Sequence, residues 1–139
     1  MATRALQFDR RLDDGIALIE RRLQPEAVLL YGSLASGETG PHSDVDIGLL
    51  MGRREVDPFE LSALRTDVEA VVGRDVDLVA LDTASPILAM EVLRRHRVAH
   101  ARRPAAVDEF FVRTCGAYFD LKCVRRPIED AIRRRATAA

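Results

Sequence analysis

The amino-acid sequence predicts an α/β fold of the α+β type, with a small mixed β-sheet flanked by helices and followed by C-terminal helices. Three observations lead to this prediction. Short apolar runs alternate with longer segments in which apolar residues recur at helical spacing. Gly and Pro residues separate the two kinds of segment. A chain of 139 residues is long enough for one compact domain and too short for two comfortable ones.

Each element has its own signal along the chain. Helices are predicted where apolar residues recur every three or four positions, and strands where apolar residues are nearly continuous. Pro25 ends the first helix, Pro58 is typical of a helix start, and Gly73 is typical of a helix end. The predicted elements are a helix over residues 6–23, a strand over 27–31, a loop with a short helical turn over 32–43, a strand over 45–51, a helix over 58–72, a strand over 76–81, a helix from 86 to about 95, an extended piece over 98–101 and a long helix after 104.

The chain divides at Pro104 into a domain of residues 1–103 and a helical extension of residues 104–139, which we expect to pack on the same domain. Pro127 is expected to kink or split this last helix, since proline removes a hydrogen bond from a helix interior. Aromatic residues cover more than one side of the helix. They are therefore expected either to lie in the core or to pack partly in a groove of a partner.

Composition excludes several classes of function. The formal net charge of −1 does not suit a protein that binds nucleic acid through bulk positive charge, although arginines cluster in residues 94–103 and 125–135. These clusters could bind phosphates, RNA or an acidic partner, or be solvated helix ends. No apolar run approaches the ~20 residues of a membrane span, and no Cys/His spacing is typical of zinc. The expected location is the cytoplasm, with no membrane partner and no direct nucleic-acid binding.

Three aspartates and a Gly-Ser turn predict the chemistry. Gly32 and Ser33 follow the first strand, and their tight turn would let backbone N–H groups and the serine hydroxyl approach phosphate oxygens. Asp44 and Asp46 come after a further ten residues. Because residues two apart in a strand point to the same face, their carboxylates would repel each other unless a divalent cation lay between them.

Asp77 lies in a later apolar strand and is expected to supply the third carboxylate, with Asp75 as its rival. Oxygen ligands favour Mg²⁺ over Zn²⁺. Three carboxylates suit a two-metal displacement, in which one ion activates the attacking hydroxyl and the other stabilises the leaving pyrophosphate. The constellation therefore predicts transfer of a nucleotide to a hydroxyl group.

This arrangement, Gly32–Ser33, ten residues, Asp44–Val45–Asp46 and a later Asp77, resembles the minimal nucleotidyltransferases of the DNA polymerase β superfamily. The motif match covers roughly residues 26–82, and the resemblance implies the nucleotidyltransferase fold for residues 1–103, two Mg²⁺ ions and a nucleoside triphosphate as the donor. It implies that Gly32 and Ser33 hold the triphosphate, that Asp44 and Asp46 bind both metals, and that Asp77 binds the catalytic metal and helps to deprotonate the acceptor. Serine stands at position 36, where this family often has a phosphate-facing arginine.

The chain length and the helical tail around Tyr118–Lys122 also resemble the MntA-like antitoxins of HEPN–MNT toxin–antitoxin pairs. That resemblance implies a protein adenylyltransferase that transfers AMP from ATP to a tyrosine of a HEPN ribonuclease toxin, and so acts as its antitoxin. Two other hypotheses stay open. The acceptor could be a small molecule, as for antibiotic nucleotidyltransferases, or the protein could neutralise its partner by binding and occlusion without catalysis.

Overall fold

The computed structural model describes residues 2–36 and 43–138, in which five helices and four strands form one α+β unit. The bounds of the elements, in chain order, are α1 Ala2–Leu23, β1 Ala27–Tyr31, α2 Ser33–Ser36, β2 Val45–Leu50, α3 Pro58–Val72, β3 Val76–Ala80, a 3-10 turn Leu81–Thr83, α4 Pro86–Arg94, β4 His96–Ala101 and α5 Ala105–Ala138. The predicted α+β fold with a mixed sheet and a C-terminal helix is confirmed.

The four strands form one sheet in the order β3–β2–β1–β4. β1 pairs antiparallel with both β2 and β4, whereas β2 and β3 are parallel and are connected through α3. A parallel pair needs a crossover of this kind, because its second strand must start at the same end as the first. β1 is one of the two inner strands, and all five of its residues are buried.

Alternate residues of β1 pack on opposite faces of the sheet, as the period of two in a strand requires. Val28 and Leu30 belong to the core that the sheet forms with α1 and α3. Leu29 and Tyr31 belong to a second core, which α4 and the first part of α5 cover. The sheet is therefore the middle layer between two helical layers.

The ends of α3 follow from local chemistry. The Asp57 side chain accepts a hydrogen bond of 2.9 Å from the Phe59 backbone N–H, and Pro58 occupies the first helical position. Gly73 ends the helix at φ 77°, and its N–H donates to the Glu69 carbonyl. Both ends are as predicted from the sequence.

Several predicted bounds need correction. α1 begins at Ala2 instead of residue 6, and β4 begins at His96 instead of residue 98 because its first residues pair with the end of β1. β2 and β3 each end one residue early. α5 runs from Ala105 to Ala138 as one helix, so it is not split at Pro127, and a kink there stays a prediction. A single proline removes one donor, and the helical turns on both sides still form.

α5 packs on the sheet only over its first part. Ala106, Phe110 and Thr114 are buried, and Phe110 is among the largest fully buried side chains. Beyond Tyr118 its residues are half-buried or exposed. Among the helices of residues 2–36 and 43–138, none has the length and apolar character needed to cross a membrane.

Candidate active site

The turn after β1 brings the backbone against a carboxylate. Gly32 has φ 67°, a left-handed conformation that side chains disfavour, and α2 starts at the next residue. A Cβ at Gly32 would overlap the Asp46 Oδ2 atom. Glycine is thus required here for two reasons, the backbone angle and the space that the Asp46 carboxylate occupies.

A row of side chains crosses the sheet at this end. The strand register pairs Asp46 with Tyr31 on one side and with Asp77 on the other, and it pairs Tyr31 with His96. Directly paired residues of neighbouring strands point to the same face. Because Tyr31 belongs to the core beneath α4 and α5, the row lies on that face of the sheet.

The register also shows which of the two candidate aspartates, Asp75 or Asp77, lies beside Asp46. Asp77, in β3, is the direct partner of Asp46. Asp75 precedes β3, and its backbone carbonyl accepts a hydrogen bond of 2.9 Å from Val45 N–H. Asp75 thus helps to set the register through its main chain, while the side chain in line with Asp46 is that of Asp77.

The carboxylates at this end influence one another. Burial raises the pKa of Asp46 above its ordinary value, and the charges of Asp77 and Asp44 raise that pKa further. Asp44 and Asp77 are exposed, whereas Asp46 is half-buried between them. A cation bound beside Asp46 would offset these effects, because it stabilises the charged form of the carboxyl group.

The same acidic residues also influence Tyr31. Burial raises the pKa of its hydroxyl to about 12, and the charges of Asp77, Asp46 and Glu91 add to this effect. Glu91 lies on α4, which packs on the same face of the sheet as the row. The structure thus places a fourth acidic residue near the row.

Ser33 and Ser36 are the first and last residues of α2. Ser33 is half-buried and has an interaction partner in the structure. Residues 37–42, the part of the loop that leads towards Asp44, lie outside the described residues.

Residues 16–104 match the family model described as polymerase beta, nucleotidyltransferase. The chain belongs to this family. The match spans all four strands, α2, α3 and α4, and it includes the Gly-Ser turn and the three aspartates. No curated protein matches the chain in sequence.

Solved structures of toxin–antitoxin complexes contain chains with the same nucleotidyltransferase fold. A chain of a toxin–antitoxin crystal structure with AMP-PNP is 25% identical, with a TM-score of 0.77 over 86% of this chain and 97% of that chain. A chain of the complex of the tri-AMPylated Shewanella oneidensis HEPN toxin with MNT antitoxin is 23% identical, with a TM-score of 0.75 over 90% and 98%. A chain of an MntA–HepT complex is 23% identical, with a TM-score of 0.73 over 89% and 97%.

The chemistry of the aspartates fits a magnesium ion of the kind that the nucleotidyltransferase resemblance implies. Asp46 and Asp77 are in register, Asp44 lies two residues before Asp46, and all three offer hard oxygen ligands. Their side chains repel one another as they stand, and among the described residues no group of three or more His, Cys, Asp or Glu has the geometry of a metal site. Asp44 and Asp77 are exposed, so a change of side-chain rotamer in either residue would cost little packing.

The sequence did not predict that three further residues lie in or near the row. Tyr31 was predicted only as part of a buried strand, and its place beside Asp46 depends on strand register. His96 is opposite Tyr31, and its Nδ1 atom lies 3.0 Å from the Leu93 carbonyl oxygen. Glu91 had no signal beyond its position in a helix, because the sequence does not say over which strands that helix packs.

Proposed function

We propose that this protein is a magnesium-dependent nucleotidyltransferase that transfers AMP from ATP to a tyrosine hydroxyl of a partner HEPN ribonuclease toxin and thereby acts as its antitoxin. The observation that carries the proposal is the register of Asp46 with Asp77 beside Gly32, which gathers carboxylates at the turn between β1 and α2.

The Gly-Ser turn and the three aspartates each have a role in this reaction. Gly32 and Ser33 approach the triphosphate, Asp44 and Asp46 hold the metal ions, and Asp77 holds the catalytic ion. Bound magnesium supplies charge stabilisation for the triphosphate and lowers the pKa of the attacking hydroxyl. The tyrosine oxygen bonds to the α-phosphorus as the bond to pyrophosphate breaks, and Asp77 helps to remove the hydroxyl proton.

The choice of acceptor has separate support. The tri-AMPylated HEPN toxin was found in complex with an MNT antitoxin, and a chain of that complex has the fold of this protein. The structure with AMP-PNP supports an adenine nucleotide as the donor. The row of carboxylates is open to a protein acceptor, because Asp44 and Asp77 are exposed.

The test is transfer of label from α-labelled ATP, in the presence of Mg²⁺, to the protein encoded beside this one, which the proposal expects to be of the HEPN type. Wild type should label the partner, and EDTA should stop the reaction. Asp46→Asn and Asp77→Asn should each reduce the rate at least about a hundredfold, because each variant replaces a charged metal ligand with a neutral one.

Asp75→Asn is the matched control, since Asp75 is also an exposed aspartate at the start of the β3 region but contributes to the sheet through its carbonyl. It should keep the wild-type rate. Labelling that survives in Asp46→Asn would contradict the proposed mechanism, and labelling of no protein at all would contradict the proposed acceptor.

Neutralisation by occlusion is a second candidate, favoured by the exposed apolar residues of α5. It predicts that Asp46→Asn still inhibits the ribonuclease at stoichiometric concentration. The catalytic proposal predicts that this variant loses inhibition at substoichiometric concentration, where wild type acts by turnover.

A further inference from the structure

The second part of α5 carries large apolar side chains that the domain does not cover. Val124 is 69% exposed, Ile128 59% and Ile132 62%, while Leu121 is half-buried. We call these four residues the distal stripe. Isolated exposed apolar residues are ordinary on a protein surface, whereas a contiguous group along one helix marks an interaction site.

The distal stripe continues a face that is already buried. Thr114 is buried against the domain, and Leu121 and Ile128 follow it at intervals of seven residues. Residues seven apart lie on the same side of a helix. The side of α5 that packs on its own domain up to Thr114 is thus the side that emerges uncovered further along, ready to pack on another helical surface.

The distal stripe begins close to the active-site end of the sheet. Tyr118 lies one turn before it, and the Arg94 guanidinium donates a hydrogen bond of 3.4 Å to the Tyr118 hydroxyl. The same guanidinium lies 5.7 Å from the centroid of the Tyr118 ring. Arg94 ends α4 two residues before His96, which belongs to the row that contains Asp46. The start of the stripe is therefore connected through Tyr118 and Arg94 to the end of the sheet that carries the row.

The charge of the helix around the distal stripe indicates which kind of partner would bind there. Residues 120–135 contain six Lys or Arg and three Asp or Glu, although the whole chain has a net charge of −1. A second copy of this chain would place two positively charged segments against each other, which disfavours self-association. An acidic partner surface would be attracted along the whole segment.

We infer that the distal stripe is the docking surface for the protein that this transferase modifies, and that this partner presents an apolar helical surface with a net negative charge. The inference rests on the proposed function, which requires a protein acceptor held near the row. It adds the surface that selects that acceptor, through helix-against-helix packing with Lys and Arg around it.

Two valines of α5 provide a matched pair for the test. Val124 lies in the distal stripe, and Val112 lies on another side of the same helix with 71% exposure. Val124→Asp and Val112→Asp therefore introduce the same charge at equally exposed helical positions. Circular dichroism should show that both variants keep the wild-type fold.

Binding of the HEPN-type protein is measured by calorimetry with Asp46→Asn as the background, so that no modification occurs during the titration. Val124→Asp should raise Kd at least about tenfold, and Val112→Asp should leave it within about twofold. Affinity should fall as NaCl concentration rises, because the attraction is electrostatic. Equal Kd values for the two valine variants would overturn the inference.

The remaining outcomes separate the inference from the proposed function. Binding that depends on Val124 without any labelling by wild type would support the docking surface and refute the transferase. If wild type and both valine variants label the partner equally, the result would support the transferase and contradict the docking surface. A dimer of the protein alone that Val124→Asp dissociates, or binding to anionic lipid vesicles that this variant abolishes, would assign the stripe to another occupant and overturn the inference.

Discussion

At Gly32 the backbone and the Asp46 carboxylate approach so closely that no side chain fits between them. The left-handed conformation at this position turns the chain from β1 into α2. The same conformation brings the main chain alongside the central carboxylate of the row. Position 32 therefore links a local backbone requirement to the geometry of the site.

We expect Gly32→Ala to reduce nucleotide transfer at least about tenfold, because the added Cβ displaces the Asp46 carboxylate. Labelling of the HEPN-type protein measures this effect. The variant should also lose about 1 kcal/mol of unfolding free energy, since alanine disfavours a positive φ.

Gly73→Ala is the control that separates the loss of nucleotide transfer from the loss of stability. Gly73 has φ 77°, and a Cβ there would come within 2.9 Å of the Arg11 Nη1 atom, the end of a flexible side chain. This variant should lose a similar free energy of unfolding while transfer stays near the wild-type rate. An equal loss of transfer in both variants would mean that position 32 acts only through stability.

Among the elements, α5 differs most from its prediction. The helix continues through Pro127 for a total of 34 residues. Pro127 has no N–H, so it cannot donate a hydrogen bond to the carbonyl of Cys123, four residues earlier. Both residues are exposed, which lets water reach that carbonyl. The unpaired group is therefore tolerated at the surface.

Pro127→Ala should stabilise the second part of α5 by on the order of 1–3 kcal/mol, because it restores this hydrogen bond and removes the proline clash. Hydrogen exchange of the amides of residues 128–135 should slow accordingly. Gly116→Ala is the control, since a Cβ at Gly116 meets nothing within 4 Å and changes helix propensity alone. Unchanged exchange in Pro127→Ala would show that the proline does not weaken the helix.

At the scale of the whole molecule, two cores share one sheet. α1 and α3 cover one face, and α4 with the first part of α5 covers the face that carries the row. The first part of α5 is therefore buried in the second core, and the second part of the same helix is exposed.

A chain ending at residue 116 should retain cooperative unfolding, because it keeps Ala106, Phe110 and Thr114. A chain ending at residue 104 should lose at least about 3 kcal/mol, since the cavity left by Phe110 opens the second core. Urea unfolding followed by circular dichroism measures both. Similar stability for the two chains would show that α5 adds nothing to the core.

The sequence by itself determined the type and order of the elements, because helical and strand spacing, Pro58 and Gly73 act over a few residues. It also indicated Gly32, Asp44 and Asp46 as one unit, since they lie within a short segment. Only the tertiary structure decided that Asp77 rather than Asp75 is in line with Asp46, and that Tyr31, His96 and Glu91 lie near them. Strand register and helix placement depend on contacts between distant parts of the chain, and local sequence does not specify them. Local sequence likewise does not specify where α5 leaves the core, because this point depends on how far the sheet and α4 extend beneath the helix.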